Sequence, residues 1–179
     1  MPLKPDPFGS MRAIRTAQLG DLDVVASWLS DSTDCERWAG HRVVFPIDLG
    51  GLPDAIEWGR AESWTVTFND AVVAFGQLVP KVRRRVHLAR LITTPEQRGR
   101  GFGRAIAEHL LECAYSRHTD RVSLNVSPAN APAIGLYRSL GFSEAPRPTD
   151  EPASDSMYME HAAQPAVAED LLMLSRCRS

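Results

Sequence analysis

Cysteine is scarce in this chain. Cys35, Cys113 and Cys177 are odd in number and far apart in 179 residues. No pair has the spacing of a zinc knuckle or a redox motif, which argues against a disulfide framework and a cysteine metal site. The expected reading is buried or incidental thiols in a reducing cytoplasm, with Cys113 packed inside an apolar helical pattern. Long apolar runs are also missing, and none could span a bilayer. Met1 to Ser10 holds three prolines and no apolar stretch, which predicts a loose lead-in rather than a signal peptide. Charge of one sign is lacking too: 20 Lys and Arg stand against 22 Asp and Glu, a net charge of −2. A chain so balanced is not an electrostatic nucleic-acid binder as a whole. A cytoplasmic protein without membrane, nucleic-acid or metal partners is therefore expected.

What is present is the composition of a globular domain, 44% hydrophobic and 23% charged. Alternation predicts a short strand over Met11 to Thr16. Asp21 is a candidate N-cap for a helix within Leu19 to Leu29, whose apolar face is Leu22, Val25, Ala26 and Leu29. Short helices are expected over Thr33 to Ala39 and Leu52 to Trp58, with loop between them. Ser63 to Phe68 and Ala71 to Val79 read as strands around an Asn69-Asp70 turn, and Arg85 to Thr93 as a third strand of an antiparallel meander. The Arg83-Arg84-Arg85 run reads as a solvated turn. Downstream, a helix (Arg104 to Tyr115), a strand (Arg121 to Val126), a helix (Ala131 to Leu140) and a last strand (Ser156 to Glu160) alternate. Asn130 can cap the second of these helices, and Gly141 stands where a left-handed C′ residue belongs. This order predicts an α/β fold of α+β type, with a central mixed, mostly antiparallel sheet flanked by helices. Residues 11–160 are expected to form a single domain, after a lead-in of 1–10 and before an extension of 161–179. Within that extension, Asp170 to Arg176 reads as an apolar helix needing something to dock on, with a homodimer contact favoured.

The sharpest feature is the loop Arg98-Gly99-Arg100-Gly101-Phe102-Gly103-Arg104, between a strand and a helix. Alternating glycines let the backbone turn tightly and present its N–H groups together, at the positive end of a helix. Three arginines add charge. The dinucleotide fingerprint fails, because the sixth position counted from Gly99 is Arg104. The nucleotide P-loop fails for want of Gly-Lys-Ser/Thr.

This loop, with Asn125 to Asn130 and the run Ala133 to Phe142 that includes Leu136-Tyr137 and Gly141-Phe142, resembles the GCN5-related N-acetyltransferase family. The resemblance is strong over about Arg85 to Phe142. It implies a sheet splayed between its fourth and fifth strands and acetyl-CoA as cosubstrate. It further implies acetyl transfer to a primary amine, on a small molecule or a protein, in a ternary complex. By that resemblance the amides near Leu91 and Thr93 meet pantetheine and the thioester carbonyl. The loop from Arg98 to Arg104 holds the pyrophosphate, and Asn130 contacts CoA as well as capping its helix. Tyr137 is the candidate acid for the departing thiolate. His87 occupies a position where some members carry a catalytic Glu or His, and is the candidate base. Glu is absent between Lys81 and Pro95, which leaves open a non-catalytic acetyl-CoA sensor. The acceptor region is expected within Asp31 to Arg60 and Phe142 to Asp155. There Trp38 and Trp58, with Trp64 beyond them, accompany Asp31, Asp34 and Glu36 and suggest an acceptor that is cationic or apolar near its nitrogen.

Overall fold

A computed structural model describes residues 11–117 and 119–162. Their backbone gathers into two compact units that interleave along the chain. One comprises residues up to 79 with 88–110, the other 80–87 with residues from 111 on. Cys177 and the expected helix Asp170 to Arg176 lie outside the described residues.

The first unit opens with strand β1 (Arg12–Thr16) and helices α1 (Asp21–Ser27), α2 (Ser32–Ala39) and α3 (Leu52–Ala55). Strands β2 (Glu62–Phe68), β3 (Ala71–Pro80) and most of β4 (Arg85–Thr93) follow, then the start of α4 (Phe102–Tyr115). β1 pairs antiparallel with β2, Ile14 opposite Val66, and β2 pairs antiparallel with β3, Thr65 opposite Phe75. Asn69 and Asp70 both take positive φ, +49° and +65°, as a two-residue turn between twisted strands requires. β3 is buried nearly along its whole length, through Val73, Ala74, Phe75, Leu78 and Val79, as befits a strand covered on both faces. Leu22, Val25, Cys35, Trp38, Leu52, Ile56 and Phe75 form the core beneath α1 to α3. Gly76 marks the point where α4 meets the sheet. A Cβ there would lie 2.9 Å from Leu110 and 3.2 Å from Ile106.

The second unit contains the first residues of β4, the end of α4, β5 (Arg121–Val126), α5 (Ala131–Ser139), β6 (Ser143–Glu144) and β7 (Met157–Ala162). β7 pairs antiparallel with both β5 and β6. Because β4 runs through both units, the strand order is β1-β2-β3-β4-β5-β7-β6. The sheet is mostly antiparallel with a parallel β4-β5 pair, the mixed α/β class expected from the sequence.

Several local expectations need correction. Asp21 is not an N-cap but the first residue of α1. Its carboxylate accepts two hydrogen bonds from Arg15, at 2.7 and 2.8 Å, and a third from the Gln18 amide. Those donors outweigh burial and hold its carboxyl below the usual range. α3 stops at Ala55, three residues short, where Glu57 takes a φ of +55° and breaks the helix. α4 starts at Phe102, two residues earlier than the spacing suggested. Cys113 is half-buried rather than a core residue. Arg85 is no solvated turn residue: its side chain is 9% exposed, and its Nη2 reaches Asp150 at 2.8 Å and Glu151 at 3.0 Å. Lys81 also pairs with Glu151, at 3.2 Å. These pairs tie the β6–β7 loop to the start of β4 across more than sixty residues of chain.

Candidate active site

The glycine loop belongs to the first unit. A short 3-10 turn, Pro95–Gln97, leads from β4 into it. Gly99 and Gly101 take φ of +77° and +85°, conformations that side-chain-bearing residues avoid. Nothing lies within 4 Å of where a Cβ would stand at either. These glycines are therefore required by backbone shape rather than by close packing, and the loop surface over them is open. Helix α4 begins directly after. Ala105 N–H is bonded back to the Gly101 carbonyl at 3.0 Å, so the amides before it precede the helical ladder and suit an anion. Arg98 and Arg100 are exposed. The Arg100 guanidinium lies over the Phe68 ring at 5.0 Å and near Phe102 at 5.9 Å, which fixes its charge beside the loop. Phe102 itself is buried, packed on Phe68 at 5.3 Å. Its side chain anchors the helix, so at Phe102 only the backbone is left to meet a ligand. Arg104 pairs along the helix with Glu108 at 3.3 Å.

Leu91 and Thr93 are half-buried near the end of β4 in the same unit. Just before them the strand is irregular: Arg90 takes a φ of +56°, and its carbonyl accepts a hydrogen bond from the Trp38 indole at 2.8 Å. The Arg90 side chain is 8% exposed. Its Nη1 donates to Gln77 at 2.8 Å, its Nη2 lies 3.8 Å from Glu57, and its Nε has no partner. Sequence reasoning missed this group. The available signal was Gln77, a lone amide within the otherwise apolar run of β3.

His87, Asn130 and Tyr137 belong to the second unit. His87 is buried, its Nδ1 2.9 Å from Ser123 Oγ and its Nε2 3.4 Å from Asn125 Nδ2. An Asn125 amide that donates to Nε2 would place the ring proton on Nδ1, toward Ser123. The arginines nearby on β4 have partners of their own, Arg85 with Asp150 and Glu151, Arg90 with Gln77 and Glu57. Asn130 is exposed and caps α5 through the Ala133 amide at 3.3 Å. Tyr137 is buried, its ring edge-on to Phe142 at 5.9 Å. Burial pushes its phenol up to about 12. The end of α5 is a Schellman closure, in which Phe142 N–H bonds to Tyr137 O and Gly141 N–H to Arg138 O, with Gly141 at a φ of +92°.

The tryptophans do not form an aromatic cage. Trp38 is buried against Phe75, Trp58 packs on the core, and Trp64 lies edge-on to His109 at 4.3 Å. Asp31 and Asp34 are occupied as caps of backbone amides around α2. Among the described residues no group of three or more His, Cys, Asp or Glu is gathered as a metal site needs, and no helix is long and apolar enough to cross a membrane.

A mixed sheet whose fourth strand runs through a glycine-turned loop into a helix N-terminus offers an anion a place to bind. The model of the Acetyltransferase (GNAT) family matches residues 26–142, and the chain belongs to that family; it is an N-acetyltransferase. It is 32% identical over 105 residues to the ribosomal protein bS18-alanine N-acetyltransferase of Escherichia coli, covering 56% of this chain and 70% of that relative. The crystal structure of a ribosomal-protein-alanine N-acetyltransferase from Escherichia coli matches with a TM-score of 0.64 and 26% identity, over 88% of this chain and 97% of that one. The PaiA N-acetyltransferase of Thermoplasma acidophilum, solved with coenzyme A, shares the fold: the TM-score is 0.65 and the identity 14%, over 85% of this chain and 99% of that one.

Proposed function

We propose that this enzyme takes its acetyl group from acetyl-CoA and passes it directly to a primary amine, holding the pyrophosphate on the amides of Arg98 to Arg104. The observation that carries this reading is the pair of left-handed glycines at the mouth of a fourteen-residue helix, with open space over both. A diphosphate fits such a site: it needs convergent N–H donors and nearby positive charge, and Arg98, Arg100 and Arg104 supply the charge. The coenzyme A complex of a protein with the same fold supports it further.

The remaining roles follow the chemistry. Acetyl moves from sulfur to nitrogen, so the C–S bond breaks, a C–N bond forms, the acceptor nitrogen loses a proton and the departing sulfur gains one. Amides of β4 at Leu91 and Thr93 polarise the thioester carbonyl, and Asn130 steadies the cosubstrate. Tyr137, held as a neutral phenol by its burial, gives the thiolate its proton. His87, buried between Ser123 and Asn125, is the group assigned to receive the proton of the acceptor amine through water.

The test is a thiol-release assay with acetyl-CoA and a panel of amines, beside calorimetry of CoA binding. Gly101→Glu sets a carboxylate against the pyrophosphate in a conformation only glycine adopts readily. It is expected to lower CoA affinity at least tenfold while circular dichroism stays native. A folded Gly101→Glu protein with unchanged affinity would remove the pyrophosphate from this loop. CoA binding without turnover on any amine would make the protein a sensor.

A further inference from the structure

The first unit contains a second concentration of positive charge, away from the glycine loop in sequence, that the transfer chemistry above does not use. Glu57 carries three guanidinium partners: Arg42 at 3.3 Å, Arg60 at 3.4 Å and Arg90 at 3.8 Å. They are arranged by depth. The side chains of Arg42 and Arg60 are 59% and 63% exposed, Glu57 is 23% exposed, and Arg90 at the bottom is 8% exposed.

Arg90 is under-compensated for a charge so deep. A buried guanidinium is tolerable when a carboxylate meets it bidentately and its other N–H groups find acceptors. Here the close partner is a neutral amide, Gln77 at 2.8 Å, itself held by a hydrogen bond to Ser63. The carboxylate is distant and shared, and Nε bonds to nothing. Desolvation is the largest influence on Arg90 and lowers its pKa, and Arg42 repels it further. Three guanidinium groups sharing one carboxylate leave a deficit that a second anion would fill.

We infer that Arg42 and Arg90, with Glu57 between them, bind a carboxylate of the acceptor, so the preferred substrate is an amine that also bears a free carboxylate. The inference rests on the acetyl-transfer reading and narrows it. Arg90 directly precedes Leu91, whose amide is proposed to meet the thioester, and the Arg90 backbone is fixed by the Trp38 indole. A carboxylate anchored at this step of β4 brings an amine a few bonds away to the reacting carbonyl. That describes a small amino acid. A protein N-terminus has its first carboxyl locked in an amide and offers the two arginines a neutral carbonyl in place of an anion. The sign is opposite to that suggested by the tryptophans and acidic residues of the sequence, of which Trp38 is core and Asp31 caps α2.

The experiment compares two acceptor mixtures in the thiol-release assay: the proteinogenic amino acids as free acids, and the same set as primary amides. Acetyl-CoA binding, measured first by calorimetry, separates failure of the underlying reading from failure of this inference. Turnover on the acids at least tenfold above the amides is expected. Arg42→Gln, an exposed change that spares the core, should raise KM for the best acid about tenfold with kcat little moved, and Arg42→Lys should restore part of it. Glu57→Gln removes the internal competitor and should lower that KM. Equal rates on acids and amides, faster amides, or no turnover on the acids despite bound acetyl-CoA would overturn the inference. An Arg42→Gln protein with unchanged KM would do so as well.

Discussion

At the scale of single residues, burial decides which groups can move a proton. Tyr137, the acid proposed above, is also a packing residue. The ring is buried against Phe142, and that burial holds the phenol as a proton donor well beyond neutral pH. Removing only the hydroxyl should therefore separate the roles. Tyr137→Phe is expected to slow acetyl transfer by about 10²-fold, the low end of general-acid contributions, with CoA affinity and melting temperature nearly unchanged. Turnover equal to the wild type on the best acceptor would reduce Tyr137 to a packing residue. The same scale shows why some residues were misread. Asp21 has the composition and position of an N-cap, yet Arg15, six residues earlier, claims its carboxylate. A cap is a local interaction that a sequence pattern can show, whereas a competing partner is visible only once strand and helix are packed.

At the scale of elements, short-range chemistry was legible and long-range pairing was not. The Asn69-Asp70 turn, the Asn130 cap, the Gly141 closure and the glycine loop all express their own backbone demands, and all took the form those demands predict. Arg85 and Arg90 did not, because their partners Asp150, Glu151 and Gln77 stand 65, 66 and 13 residues away. The length of α3 was also hidden: Pro53 starts it well, but nothing local marks the left-handed Glu57 that ends it. Gly76 belongs with these. Packing explains it, since Leu110, Ile106 and Leu91 close over its Cα. Gly76→Ala would push a methyl group to 2.9 Å from Leu110, and such overpacking costs about 1–3 kcal/mol. Chemical denaturation should show that loss as a lower midpoint with an unchanged slope. Gly76→Ala paired with Leu110→Val, which withdraws the clashing carbon, should recover part of it. A Gly76→Ala protein of wild-type stability would mean that α4 can shift away from the sheet at little cost.

At the scale of the whole molecule, the titratable groups that folding perturbs bound the pH range of stability from both sides. On the acid side, burial lowers the pKa of His109 and His161 below the ordinary 6.5. The unfolded chain takes up protons there before the native one, so stability is full above about pH 6.5 and falls as pH drops through it. Asp21, held low mainly by Arg15 against its burial, adds a further loss below about pH 4. On the alkaline side, burial raises both Tyr115 and Tyr137 from 10.0 to about 12. The unfolded chain releases those protons first, so stability is full below pH 10 and is lost progressively between there and about 12. Melting temperature should consequently be flat from about pH 7 to about pH 10 and decline on both sides. Tyr137→Phe removes one of the two alkaline groups, so its decline between pH 10 and 11.5 should be shallower than that of the wild type, whatever its stability at neutral pH. His161→Gln should likewise flatten the decline below pH 6.5, provided the Tyr115 hydroxyl finds the glutamine in place of the ring nitrogen it now contacts. A melting temperature that peaks below pH 6, or alkaline declines identical in wild type and Tyr137→Phe, would show that these buried groups are not what limits the native state.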